Sequence, residues 1–111
     1  MTVDNGITSI QEAIYAKEQG IDIIITDHHQ DLGTLPDAIA VVNPQVSPNY
    51  PFKGLAGVGV AFKLICALLT KCDFDQKQKN HIFNYFLPIV AIGTVADIVP
   101  LVNENRIIVK K

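Results

Sequence analysis

Ile21-Asp22-Ile23-Ile24-Ile25-Thr26, running directly into Asp27-His28-His29, is the stretch on which the fold turns. It is rich in β-branched residues and shows almost no polar alternation, which suits a strand buried on both faces, as in a parallel sheet. Upstream, Thr2-Val3-Asp4 reads as the end of an earlier strand that turns through Asn5-Gly6. Between the two, Thr8 or Ser9 is placed to cap a helix carrying Ile10, Ala13, Ile14 and Ala16 on one face, with Gly20 ending it. Strand, helix, buried strand is a βαβ unit, whose crossover is expected to be right-handed.

Downstream, Ala40-Val41-Val42-Asn43 reads as a second short strand, followed by an irregular loop with Pro44, Pro48 and Pro51. From Val58 to Thr70 the apolar positions Val60, Ala61, Leu64, Ile65, Leu68 and Leu69 have helical spacing. A polar stretch from Asp73 to Asn80 leads into a further helical segment with Ile82, Phe83, Phe86 and Leu87, which Pro88 is expected to break or kink. Ala91, Gly93 and Ala96 are small enough for close packing, and the tail from Arg106 to Lys111 reads as the start of a helix or strand. The expected architecture is α/β, a parallel sheet flanked by helices, with both ends cut.

Composition narrows the classes. Nearly half of the 111 residues are apolar and 18% are charged, enough for one domain with a real core and against disorder. The longest apolar stretch, around Leu87 to Val102, is interrupted by Gly93, Asp97 and Pro100, so no membrane span is expected. Met1-Thr2-Val3-Asp4 has neither a basic nor an apolar signal region. Cys66 and Cys72 then read as reduced thiols, and the expected compartment is the cytoplasm. The net charge of −2 gives no global basic face for nucleic acid, but a carboxylate-rich site charged by its own metal ions would have the same balance.

The chemistry-bearing residues gather at one edge. Asp27, His28 and His29 follow the buried strand, and in open α/β sheets ligands bind at that C-terminal edge. Asp4, ending the neighbouring strand, would join them. Crowded carboxylates repel unless a cation neutralises them, and Asp with His suits Mn²⁺, Zn²⁺ or Fe²⁺. The alternative is that Asp27 caps the following turn and the histidines are surface residues. Asp97 stands among apolar and small residues, where a carboxylate must be paired, hydrogen-bonded or bound to metal. It is open to a turn role as well as to a share in the same site. Gly54-Leu55-Ala56-Gly57-Val58-Gly59 opens a helix without the dinucleotide-binding glycine spacing, and tight backbone geometry is its reading over phosphate binding. His81 is read as a partly exposed helix residue.

Thr2-Val3-Asp4-Asn5-Gly6-Ile7, Thr26-Asp27-His28-His29 and Gly93-Thr94-Val95-Ala96-Asp97-Ile98-Val99-Pro100-Leu101 resemble, in order, successive motifs of the DHH phosphoesterase superfamily. With Asn43-Pro44 and Leu55 to Leu64 between them, the set resembles the single-strand-specific exonuclease branch of the RecJ type. That resemblance implies two-metal hydrolysis of phosphodiester bonds, using Mn²⁺ or Mg²⁺, from the 5′ end of single-stranded DNA. It implies metal-ligand roles for Asp4, bridging two ions, and for His28 and Asp97. Asp27 is implied at or just outside the metal shell, and His29 facing the scissile phosphate. The family's earlier Asp-rich motif and its DHHA1-type domain fall outside residues 1–111. The expectation is therefore a partial domain that alone binds metal weakly and has little nuclease activity. A sheet edge left exposed by the shortened first strand is expected to favour self-association. The alternatives are another DHH phosphodiesterase, acting on oligonucleotides, cyclic dinucleotides or pyrophosphate, or an inactive structural fragment.

Overall fold

A computed structural model describes all 111 residues. In chain order it has α1 (Ile10–Glu18), β1 (Ile24–Thr26), β2 (Ala40–Val42), α2 (Gly57–Lys71), α3 (Gln76–Ala96) and α4 (Asn103–Lys110). β1 and β2 pair in parallel, with Ile24 opposite Ala40 and Thr26 opposite Val42. The N-terminal segment lies on the other side of β1: the Thr2 N–H donates to the Ile24 carbonyl at 2.9 Å and the Asp4 N–H to the Thr26 carbonyl at 3.0 Å. The expected neighbour relation between Asp4 and the end of β1 is thus carried by backbone hydrogen bonds, although Thr2–Asp4 is too short and turned to form a regular strand.

Several local expectations are corrected. Regular pairing in β1 begins at Ile24 instead of Ile21. β1 is not buried on both faces throughout, since Ile25 and Thr26 are buried while Ile24 is 37% exposed. Ser9 holds the N-cap position of α1, but its side chain makes no capping bond. Ala13 and Ala16 face inward as expected, whereas Ile14 is exposed. Pro88 does not break its helix: α3 runs through it from Gln76 to Ala96. The missing proline N–H leaves the Asn84 carbonyl without its helical donor, yet both residues are exposed, where solvent can reach that carbonyl. At its start α3 is fixed by a capping box, Asp75 accepting from the Gln78 N–H and the Gln78 side chain accepting from the Asp75 N–H.

The main core lies where α2, α3 and α4 meet. Leu55, Val60, Phe62, Leu87, Val90 and Ile108 are buried together there, and the Phe62 and Phe83 rings sit 5.2 Å apart. α2 packs on both β1 and α3, which ties the sheet to the helical layer. Gly93 sets the closeness of α2 and α3, because a Cβ at that position would lie 2.9 Å from Val58 Cγ1. α4, read from sequence only as an unassigned beginning, docks through buried Ile108 and the fully buried Asn105.

These contacts make Gly93→Ala a test of the helix packing. Overpacking a tight contact costs about 1–3 kcal/mol, while alanine returns up to about 1 kcal/mol of helix propensity. The expected net result is a lower melting temperature. Adding Val58→Ala should recover part of it, so that a double-mutant cycle is non-additive. A melting temperature for Gly93→Ala at or above the parent value would contradict the close approach.

Candidate metal centre

Asp27 organises the end of β1. Its side chain is 1% exposed, and both carboxylate oxygens are engaged. Oδ2 accepts from the Ile7 N–H at 2.9 Å. Oδ1 accepts from the His28 N–H at 2.8 Å, the His29 N–H at 3.3 Å and His29 Nδ1 at 2.7 Å. Burial alone would push this carboxyl up, but the hydrogen bonds from Ile7, His29 and His28 outweigh it and hold Asp27 below its ordinary value. The reciprocal bond to Asp27 raises the pKa of His29 against the opposing effect of burial. Asp27 therefore does cap the turn, and in doing so it aims both imidazoles.

His28 points into a cluster. Its Nδ1 lies 3.0 Å from the Leu55 carbonyl. A carbonyl only accepts, so Nδ1 donates to it, and Nε2 faces the carboxylates on the opposite side of the ring. Nε2 stands 3.0 Å from Asp4 Oδ1 and 3.5 Å from Asp97 Oδ2. It is buried there without a geometrically adequate hydrogen bond, and so is Asp97 Oδ2. One ligand atom each from Asp4, His28 and His29 lies within 4.8 Å of the others. Two carboxylates thus converge on one imidazole nitrogen.

The surrounding backbone sharpens that electrostatic problem. Asp97 is the C-cap of α3, where the helix dipole is negative and a carboxylate is disfavoured. Asp4 adopts φ 63°, a left-handed conformation that aspartate tolerates better than most residues but that still carries strain. A divalent cation would relieve the charge repulsion, since carboxylate oxygens with an imidazole nitrogen form a donor set suited to Mn²⁺. The Leu55 carbonyl supplies the outer hydrogen bond that a metal-ligating histidine requires. The residues present fit the group.

Of the residues singled out from sequence, Asp4, His28, His29 and Asp97 are brought together, and Asp27 stands behind them with its oxygens already committed. His81 lies exposed on α3, outside the cluster. Two contributions were missed. Gly57 opens α2 against Asp4, and a Cβ there would fall 2.1 Å from Asp4 Oδ1 and 2.6 Å from Asp4 Cβ. Asn43, at the end of β2, donates from Nδ2 to the His29 carbonyl at 2.9 Å. Its position at the same sheet edge as Asp27 was the available signal. For Gly57 the signal was the glycine run, which was read as tight turning and proves to admit a carboxylate.

The chain is 51% identical over 109 residues to the single-stranded-DNA-specific exonuclease RecJ of Bacillus subtilis, an alignment covering 97% of this chain and 13% of that protein. It is 48% identical over 115 residues to RecJ of Escherichia coli, covering 97% of this chain and 20% of that protein. The chain thus spans a fifth or less of these relatives. A solved structure described as exonuclease RecJ bound to manganese superposes with a TM-score of 0.80 at 37% identity, over 98% of this chain and 26% of that one. RecJ of Thermus thermophilus in complex with Mn²⁺ gives the same score and identity, with 16% of its chain covered. The family model for the N-terminal domain of the DHH family matches residues 1–94, from the first residue into the last turn of α3, and the chain belongs to the DHH family.

Proposed function

We propose that this chain is the central part of the catalytic domain of a RecJ-type exonuclease. That enzyme would hydrolyse phosphodiester bonds of single-stranded DNA from the 5′ end with two divalent metal ions, in DNA repair and recombination in the cytoplasm. The observation that carries the reading is the convergence of Asp4, His28 and Asp97 with the unpaired His28 Nε2 between the carboxylates. Its alignment with RecJ proteins along nearly the whole chain supports the substrate class.

In this reading Asp4, His28 and Asp97 would hold the metal. A bound Mn²⁺ supplies Lewis acidity that makes water a stronger nucleophile and offsets charge on phosphate oxygens. The protein's own work is positioning. Asp27 holds His29 by its Nδ1, leaving the exposed ring to meet the scissile phosphate, and the raised His29 pKa favours its charged form beside an anion. The Leu55 carbonyl accepts from His28 Nδ1 and so orients the ring. Gly57 leaves room for Asp4.

The test of the reading is Asp4→Ala in the complete protein. It should abolish Mn²⁺-dependent release of nucleotides from 5′-labelled single-stranded DNA while circular dichroism and the melting temperature stay near the parent values. Preserved turnover would refute the site. The 111-residue chain by itself should bind Mn²⁺ weakly and degrade little or no DNA, and robust degradation would overturn that expectation.

Gly57→Ala separates steric access from folding. Alanine regains up to about 1 kcal/mol of helix propensity, but the contact is closer than at Gly93, so a net loss of about 1–3 kcal/mol with the fold retained is expected. The blocked space includes Asp4 Cβ, which side-chain rotation cannot move, so the Asp4 turn must shift. Mn²⁺ affinity is expected to fall at least about tenfold, the scale on which displaced metal-site geometry is felt. Unchanged affinity in a folded Gly57→Ala protein would show that Asp4 does not need this approach.

A further inference from the structure

The orienting carbonyl of His28 is itself held from a distance. Asn105, on the first turn of α4, is fully buried and donates from one amide nitrogen to two carbonyls: Gly54 at 2.6 Å and Pro100 at 3.0 Å. Both partners are acceptors, so the amide orientation is chemically determined, with Nδ2 toward the loops. Oδ1 is buried without a partner.

Those two carbonyls belong to the two segments that shape the metal centre. Gly54 immediately precedes Leu55, whose carbonyl takes the Nδ1 proton of His28. Pro100 lies in the turn that leaves Asp97, a turn containing Ile98 at φ 58° and closed by the Val102 N–H donating to the same Pro100 carbonyl at 2.9 Å. Neither segment is regular structure, and each must hold its place for His28 and Asp97 to meet at 3.5 Å.

We infer that Asn105 is a positioning residue of the metal centre, one amide that clamps the Gly54–Leu55 loop to the turn after Asp97 and so fixes the Leu55 carbonyl against His28 Nδ1 and the approach of Asp97 to His28 Nε2. The inference rests on the metal-centre reading above. A merely structural Asn105 would stabilise α4 without affecting the imidazole. α4 has a second tether that makes this distinction usable. Glu104 accepts from the Tyr50 hydroxyl at 2.6 Å and from Lys63 Nζ at 3.3 Å, and touches neither Gly54 nor Pro100.

The experiment compares Asn105→Leu with Glu104→Gln in the 111-residue chain. Leucine matches asparagine in side-chain heavy-atom number and branching and removes both donors. The first readout, taken without metal, is the rate at which the His28 Nδ1 proton exchanges with solvent, which reports whether the Leu55 carbonyl still holds it. The second is Mn²⁺ affinity from the electron paramagnetic resonance signal of free Mn²⁺. Asn105→Leu is expected to speed that exchange about tenfold, the scale of one weakened hydrogen bond, and to weaken Mn²⁺ binding by about 10–100-fold, the usual effect of losing an outer-shell partner. Glu104→Gln is expected to lower the melting temperature with both readouts unmoved. A folded Asn105→Leu chain with the parent exchange rate and parent affinity overturns the inference. So does Glu104→Gln shifting both readouts equally, because any loosening of α4 would then suffice. If Asn105→Leu does not unfold cooperatively, Asn105→Gln, whose donors sit one methylene further out, is judged by the same two readouts. A parent chain that binds no Mn²⁺ would count against the metal reading, and the metal-free exchange rate of the His28 Nδ1 proton would still decide for or against Asn105.

Discussion

The site depends first on a buried carboxylate that binds nothing but its own chain. Asp27 ends β1, and a bare charge there would be costly. The chain meets that cost by folding donors around it: the Ile7 N–H from the segment before α1, and the His28 and His29 groups that follow. Satisfying Asp27 therefore fixes the Gly6–Ile7 turn beside β1 and sets both histidine backbones. Thr26, fully buried just before it, adds a bond from its hydroxyl to the Thr2 carbonyl at 2.7 Å, fastening the segment that ends in Asp4. The carboxylate that names the motif is thus mainly an organiser of its neighbours.

Around that organiser the fold assembles groups that disfavour one another. Asp4 is presented from a left-handed turn, Asp97 from the C-terminal end of α3, and His28 with its Nε2 directed between them. Two carboxylates held this close repel, and a divalent cation between them would offset that repulsion. The stabilising packing lies elsewhere, in the α2–α3–α4 core. This division lets the core supply stability while the sheet edge holds the polar cluster.

How much of this could be read beforehand follows from the range of the interactions. The strand character of β1, the helical spacing of α2 and the meeting of Asp4 with Asp27 and His28 at one edge were legible, because neighbouring segments of a parallel sheet share an edge whatever the loops do. Asp97, at the end of α3, was placed with them only by its apolar surroundings and its motif. The span of α3 through Pro88 was not, since it depends on solvent reaching an exposed carbonyl on one helix face. A nearer cue, Asp75 with Gln78, marked its start and was available. α4 was illegible as an element because its eight residues are held by Asn105 and Ile108 contacts distant in sequence. Gly57 was visible as a residue but not as a contact, because its partner Asp4 lies more than fifty positions away.

Gly57 and Gly93 show how similar sequence signals acquire different meanings. Neither has a positive φ, so neither is needed for backbone freedom. Each is needed for what would otherwise be occupied by a Cβ. At Gly93 the space goes to Val58, and the result is a close α2–α3 contact in the stabilising layer. At Gly57 it goes to a carboxylate, and the result is that α2 begins directly beneath Asp4. The two positions sit on helices that touch, with Val58 following Gly57 in sequence. The close approach of α2 to α3 and the room left for Asp4 are therefore set from adjacent residues of one helical turn. Separating α2 from α3 would move the backbone beneath Asp4, which makes helix packing a condition of the Asp4 geometry as well as of stability.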